Sequence, residues 1–433
     1  MQRVLIIRLD AIGDAILFGG ALRLLREIYH GATLAVACRP EVAPIHERDP
    51  HVDRVFTIDM VGATDHDSVR DSAAAELSGW KPDLLIHPTR SREGIAESIV
   101  RRARAGVRIA MGADTSNATS DELAAYDSMY DQLGPATPAG DPEIAHHAAL
   151  IRWLSNGSID CSNLGPEVTL SDDDLLSARS ILRARSIDST RAIACFAGSR
   201  WRYKNYPRWG DALFAAYEHR PEVESIVFLG GEDAAGESEQ AAASLSALGS
   251  RLRIENLIGT CDLMTTIGLI GELRACVGND TFAMHAACAL GTPNAAVLGG
   301  GHPGRFLPYN ALTSCAVRPL SCMNCDWWCQ FDQAHCVRSI PTVVVARALE
   351  SVLEPASLRP LVFVPSRDTA DPGGPTPTSL PGDLASRVEV CRVAVDAHQG
   401  SPASTMLTVS AANRADEIMR SGGLRRISRL DRF

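Results

Sequence analysis

This 433-residue sequence has no uninterrupted apolar run near the roughly 18 residues that a membrane-spanning helix needs, which excludes an integral helical membrane protein. It also opens without the apolar stretch of a secretory leader. Val4-Leu5-Ile6-Ile7 is broken by Arg8, so the start reads as a first strand and a cytoplasmic location is expected. Excess positive charge is missing too. With 42 Lys and Arg against 52 Asp and Glu the net charge is −10, and a general nucleic-acid binder, which must neutralise phosphates, is not expected. Lysine is scarce in its own right: Lys81 and Lys204 are the only ones, and every other cation is an arginine. What is present is ordinary for a folded protein, with 45% apolar and 22% charged residues. The length suits two domains with some chain left over.

Short apolar runs alternate with helical patterns in two series. The first predicts strands at 4–9, 33–38, 54–59, 83–87 and 106–111, with helices at 14–28, 41–48, 68–80, 92–104 and 143–156. Residues 112–142 carry little pattern and read as loop. The second predicts strands at 192–197, 225–230, 254–257, 275–277 and 294–298, with helices at 208–219, 236–248, 263–274 and 282–290. Continuous apolar strands separated by helices make parallel sheets covered on both faces. The expected fold class is therefore α/β, with two Rossmann-like domains facing across a cleft. The domains are expected at 1–160 and 186–340, the second including a Cys-rich loop at 315–336, followed by a closing helix at 341–355. Residues 356–433, rich in Pro, Gly, Ser and Thr, read as a largely disordered extension with a short helix near 413–421. The acidic run Ser171-Asp172-Asp173-Asp174 has the look of a metal site, but a Ser cap followed by first-turn acids is the plainer reading.

Ligands of open α/β sheets bind where loops leave the strand ends and helix N-termini present free amides. After the first strand comes Asp10-Ala11-Ile12-Gly13-Asp14, with one glycine where a dinucleotide fingerprint needs three. Its Asp14 stands at a helix N-terminus, either as a simple cap or as a carboxylate able to take a proton from a substrate hydroxyl. The second series opens on Gly198-Ser199-Arg200-Trp201-Arg202-Tyr203-Lys204, a turn whose glycine, hydroxyl and cations suit a diphosphate if it is more than a surface loop. Later Gly278-Asn279-Asp280-Thr281-Phe282-Ala283-Met284-His285 runs from a strand into a helix, offering capping groups, free amides and a histidine that reads either as a ligand contact or as a packed core residue. Arg305, after a glycine run, is read as an ordinary loop arginine or a phosphate contact.

Taken together, the opening Val4-Leu5-Ile6-Ile7-Arg8…Ile12-Gly13-Asp14, the Gly198-Ser199…Lys204-x-x-Pro207 loop and Asp280-Thr281…His285 resemble glycosyltransferase family 9, the heptosyltransferases, over about residues 1–355. The resemblance implies the two-domain GT-B fold and an inverting transfer of heptose from ADP-heptose without a catalytic metal. It implies Asp14 as the base that deprotonates the acceptor hydroxyl. It implies Ser199 and Lys204 on the donor diphosphate, Glu232 on the nucleoside, and Asp280, Thr281 and His285 lining the donor pocket. The family usually has glycine after the Asp-Thr pair, where this chain has Phe282, which bears on the donor's pose and sugar.

The Cys-rich loop, Cys322-x2-Cys325-x3-Cys329-x6-Cys336 beside Trp327 and Trp328, can close on one tetrahedral ion. Structural zinc is the first expectation and iron the second, with buried reduced thiols as the plainer alternative. The expected activity is thus that of a glycosyltransferase working in the cytoplasm or in peripheral contact with the inner face of the membrane. Its acceptor would be a glycolipid or polysaccharide, as in lipopolysaccharide biosynthesis, met through arginines such as Arg90, Arg92 and Arg101 unless these are simply solvated helix charges. Two rivals stand beside it: a protein O-heptosyltransferase, and a catalytically inactive nucleotide- or metal-binding interaction protein.

Overall fold

The computed structural model describes residues 1–59, 66–355, 357–366, 371 and 373–395. The first series folds as β1 (Arg3–Ile7), α1 (Ile12–Ile28), β2 (Thr33–Cys38), α2 (Ala43–Glu47), β3 (Arg54–Thr57) and α3 (His66–Trp80). It continues through β4 (Leu84–His87), α4 (Gly94–Arg102), β5 (Val107–Gly112), α5 (Ser120–Asp127), β6 (Gln132–Ala136) and α6 (Glu143–Leu154). The six strands pair in parallel in the order β3-β2-β1-β4-β5-β6. Val4 to Ile7 are fully buried because α-helices cover both faces of the sheet, which is why β1 reads as an unbroken apolar run.

Helix α7 (Asp172–Ala184) leads into the second series. There β7 (Ala192–Phe196), α8 (Trp209–Tyr217), β8 (Ser225–Phe228), α9 (Ala235–Ala247), β9 (Arg253–Asn256) and α10 (Leu263–Glu272) come first. Next are β10 (Ala275–Asn279), α11 (Phe282–Leu290), β11 (Asn294–Val297), β12 (Thr313–Ala316), α12 (His335–Arg338) and α13 (Thr342–Ser351). Finally β13 (Leu361–Pro365), α14 (Gly382–Arg387) and β14 (Glu389–Val393) complete an eight-stranded sheet ordered β14-β13-β12-β11-β10-β7-β8-β9. All of its neighbouring strands are parallel. Ser171 does cap α7: its hydroxyl accepts the Asp174 amide while Asp174 Oδ2 accepts the Ser171 amide at 2.9 Å. Asp174 is then held by Arg48 Nε at 2.6 Å, so the acidic run is a helix start tied to the first domain, not a cation site.

Three expectations need correcting. Residues 112–142 are not all loop, since α5 and β6 lie there. Strand β12 went unanticipated, because Thr-Ser-Cys-Ala offers small side chains and no apolar run. The first part of the extension is folded: β13 pairs with β12 and β14 with β13. Its α14 touches both domains. Arg387 donates to Gly304 O at 3.0 Å, and a Cβ at Gly140 would lie 2.6 Å from Asp383 Oδ2. The helix expected near 413–421 lies outside the described residues. Among the described residues no helix is long and apolar enough to cross a membrane.

Candidate active site

Each sheet reverses its strand order once, between β1 and β4 in the first and between β7 and β10 in the second. Loops leaving neighbouring strands diverge at such points and open a crevice at the carboxyl edge. The first turn of α1, which follows β1, carries Asp14, the loop after β7 carries Lys204, and the loop after β10 carries Asp280 and Thr281. All three sequence motifs therefore fall on switch points.

The two helix starts meet directly. A Cβ on Gly13 would lie 2.7 Å from His285 Cδ2 and 3.5 Å from the Phe282 Cα, so only glycine allows α1 to approach α11 this closely. That contact sets Asp14, the next residue, beside α11. Phe282 turns its ring edge-on to Phe196, with centroids 5.8 Å apart.

Around Asp14 the charges crowd. Arg8, at the end of β1 and 1% exposed, binds Asp10 with Nε at 3.0 and 3.2 Å from its two oxygens, and lies over the Phe18 ring at 4.4 Å. Asp14 Oδ2 accepts the Ala11 amide at 3.2 Å. Burial, the Asp10 charge and the Glu143 charge push the Asp14 carboxyl up, against Arg8, to about 7. Glu143, at the start of α6 and 3% exposed, is desolvated too, yet Arg305 and the neighbouring histidines and Arg8 hold it down at about 2. Arg305 reaches it across the domains: Nε donates to Glu143 Oε2 at 2.9 Å, one terminal nitrogen to Asp114 Oδ2 at 3.2 Å, and its carbonyl accepts the Glu143 amide at 2.8 Å. Burial, then Arg8, drives His147 down to about 3, so it is neutral and its Nε2, 3.3 Å from Arg8, acts as acceptor.

On the second sheet Lys204 Nζ lies 2.9 Å from Asp280 Oδ2 and 3.1 Å from the Asp280 carbonyl. Burial opposes ionisation of Asp280, but Lys204 and His285 keep its carboxyl below the ordinary range. Beside this pair two buried polar atoms lack any partner, Thr281 Oγ1 and His285 Nδ1. A buried unpaired hydroxyl and imidazole are costly without a ligand, so they mark a place where polar ligand atoms would be welcome. His285 is neutral, because burial lowers it to about 4. The β7 loop is held from beneath by Asn279, which is fully buried: Nδ2 donates to Ala197 O at 2.7 Å, and Oδ1 accepts the Tyr206 amide at 3.1 Å and Trp209 Nε1 at 3.2 Å.

The structure thus brings Asp14, Lys204, Asp280, Thr281 and His285 to the switch points. Ser199 is turned into its own loop, with Oγ 2.8 Å from Asn205 Oδ1 and 2.9 Å from the Trp201 carbonyl. Glu232 is exposed at the end of β8, with its Cγ against Gly259. Of the three arginines expected to meet the acceptor, two are turned inward. Arg90 and Arg92 are buried, Arg90 on the Pro138 and Asp141 carbonyls and Arg92 on Glu97 and Asp127, while exposed Arg101 lies against Met129 Sδ at 3.0 Å. Arg305 bridges the domains, and Asp114 and Glu143, its partners, carry no sequence signal.

The cysteine loop does not have the expected metal geometry. Cys336 Sγ accepts the Gly300 amide at 3.2 Å and Cys329 Sγ lies 3.6 Å from the Gln333 carbonyl. Among the described residues no group of three His, Cys, Asp or Glu side chains is placed to hold a metal ion. The four thiols therefore do not fit one ion here, and no step of the chemistry is routed through one.

The model of the family described as glycosyltransferase family 9 (heptosyltransferase) matches residues 122–333, a stretch that takes in the second-domain motifs but not Asp14. No curated protein matches the chain. Among solved structures, a glycosyl transferase family 9 protein of Veillonella parvula is 18% identical with a TM-score of 0.60, covering 72% of this chain and 85% of that one. The ADP-heptose lps heptosyltransferase II of E. coli is 17% identical with a TM-score of 0.58, covering 82% of this chain and 98% of its own. The E. coli heptosyltransferase WaaC with ADP is 18% identical with a TM-score of 0.52, covering 72% and 92%. At these identities the structures speak for the fold, and the family model and motifs for the activity. Motifs, family model and fold agree, and the chain is similar to glycosyltransferase family 9.

Proposed function

We propose that the chain is an inverting transferase that moves heptose from ADP-heptose to a hydroxyl of a glycolipid or polysaccharide, at the cytoplasmic face of a membrane. The observation that carries this reading is Asp14, a carboxyl pushed up to about 7 at the first switch point and one residue from the glycine that touches His285. A base with that affinity is half-deprotonated near neutral pH and still takes a proton readily. In a single displacement the acceptor oxygen attacks the anomeric carbon while its proton passes to an Asp14 oxygen. The bond from that carbon to the diphosphate oxygen breaks on the far side, ADP leaves with the electron pair, and Asp14 returns the proton to solvent. Lys204 would bear the charge that grows on the departing diphosphate, with Ser199 steadying its loop. Thr281 and His285 would donate to, or accept from, the donor's polar atoms, and Glu232 would meet the nucleoside. The WaaC structure, solved with ADP, supports an adenine nucleotide by fold alone.

The test is a binding titration of the purified protein with ADP-heptose, with ADP, UDP-sugars and GDP-sugars as comparators, followed by turnover with glycolipid acceptors. Tighter binding of ADP-heptose is expected, and turnover should survive exhaustive chelation. Preference for another nucleotide sugar would sink the donor assignment while leaving Asp14 as base. A polypeptide acceptor is the second reading. Burial of Arg90 and Arg92 favours it, because two of the three arginines expected to meet a phosphorylated glycolipid are turned inward.

A further inference from the structure

Trp327 stands in none of the three motifs, yet it roofs the cation assigned to the donor. Its ring centroid is 5.0 Å from Lys204 Nζ, within the range of a cation–π contact. Below, the ring rests on bare backbone: a Cβ at Gly301 would come within 2.3 Å of Trp327 Cε2, and one at Gly299 within 2.5 Å of Cη2. The glycine run after β11 is thus a seat for this indole. The segment that carries it is held in a costly conformation, with φ of 66° at Asn324, 48° at Asp326 and 63° at Trp327. Left-handed backbone at a bulky aromatic is rare and persists only where the surroundings impose it. They do so here: the Asn324 amide donates to Gly300 O at 2.8 Å, the Asp326 amide to Gly301 O at 3.2 Å, and Asp326 Oδ1 lies 3.1 Å from His302 Nδ1.

An aromatic face is electron-rich, so a phosphate sharing the Lys204 ammonium would avoid it. The part of a nucleotide sugar that follows the diphosphate by one bond is the transferred sugar, whose C–H face can lie on such a ring. We propose that Trp327 is the platform on which the donor's sugar rests and so a specificity-determining residue of the donor site. This deepens the reading above, since it rests on Lys204 holding the diphosphate.

The experiment compares the nucleoside diphosphate with its nucleotide sugar, using ADP and ADP-heptose or whichever pair the wild type prefers. Both are titrated calorimetrically into the wild type, Trp327→Phe, Trp327→Ala and Trp327→Leu, the last keeping apolar bulk on the glycine seat. The sugar should tighten binding to the wild type and to Trp327→Phe. In Trp327→Ala and Trp327→Leu that increment should shrink about tenfold while diphosphate affinity holds. Equal loss for both ligands would make Trp327 a prop for Lys204 and overturn the proposal, as would no loss for either. A wild type that binds nucleotide sugars but gains nothing from the sugar overturns this proposal alone. One that binds neither ligand overturns the donor assignment together with it.

Discussion

At the first sheet's switch point two carboxylates, Asp10 and Asp14, crowd one buried guanidinium, and the less favoured carboxylate keeps its proton to about pH 7. At the second, a single ammonium, Lys204, shares one buried carboxylate, Asp280, with two unpaired polar atoms alongside. The topology is the same and the chemistry is opposite. An excess of acids over cations leaves a group ready to accept a proton. A cation with few partners is ready to accept an anion. The crevice of this fold is only a place, and the local surplus of one charge decides whether it favours a proton or an anion.

The comparison can be broken most sharply at Asp14. On the role proposed for Asp14, Asp14→Asn keeps the shape and removes the proton acceptor, so kcat should fall about 10²- to 10⁴-fold while ADP affinity is unchanged. Retained turnover would place the base elsewhere. The converse substitution, Lys204→Met, should weaken ADP binding about 10- to 100-fold in calorimetry, as expected for a lost charge-assisted hydrogen bond. Affinity close to that of the wild type would show that the ammonium serves only Asp280.

The pH dependence sharpens the contrast. Because the base acts when ionised, kcat/KM should rise with pH through about 7. Glu143→Gln removes one of the charges that raise Asp14, so this limb should move to lower pH; an unmoved limb would detach Glu143 from the base. The smallest effect is on stability, and the two carboxyls have opposite signs. Glu143, held at about 2, contributes stability that is present above its ordinary 4.5 and lost as pH falls through about 2. Asp14, raised from 3.8, contributes stability present below 3.8 and lost as pH rises through about 7. Melting temperatures of the wild type, Asp14→Asn and Glu143→Gln between pH 3 and 8 should separate the two slopes.

How much of this the sequence shows depends on whether a feature is contiguous. Helix α11 at Phe282–Leu290 and strand β2 at Thr33–Cys38 coincide with their expected bounds, since each is an apolar run closed by turn residues. Asp14, Lys204 and Asp280 were legible for a related reason: each sits where a strand pattern hands over to a helix. Strand β6, Gln132–Ala136, was not, because an edge strand with Gly and Pro and mostly exposed side chains has no apolar signal. β13, Leu361–Pro365, does carry an apolar run, but it is surrounded by the composition of a disordered segment. The bridge of Arg305 to Glu143 and Asp114 gathers two loop residues and a helix start that are distant in the chain, with no spacing to betray it. Arg90 and Arg92 misled for the opposite reason, as consecutive-looking surface charges that the fold turns inward to satisfy carbonyls and acids.

The grip of α14 has a practical side. Arg387 holds the carbonyl of Gly304, the residue before the arginine that joins the two domains, and Asp383 lies against Gly140 on the other domain. Anyone who trims the chain at the proline-rich stretch to improve its behaviour would be cutting a seat belt, and would find the change not at the new end but in how firmly the halves that carry Asp14 and Lys204 keep their distance.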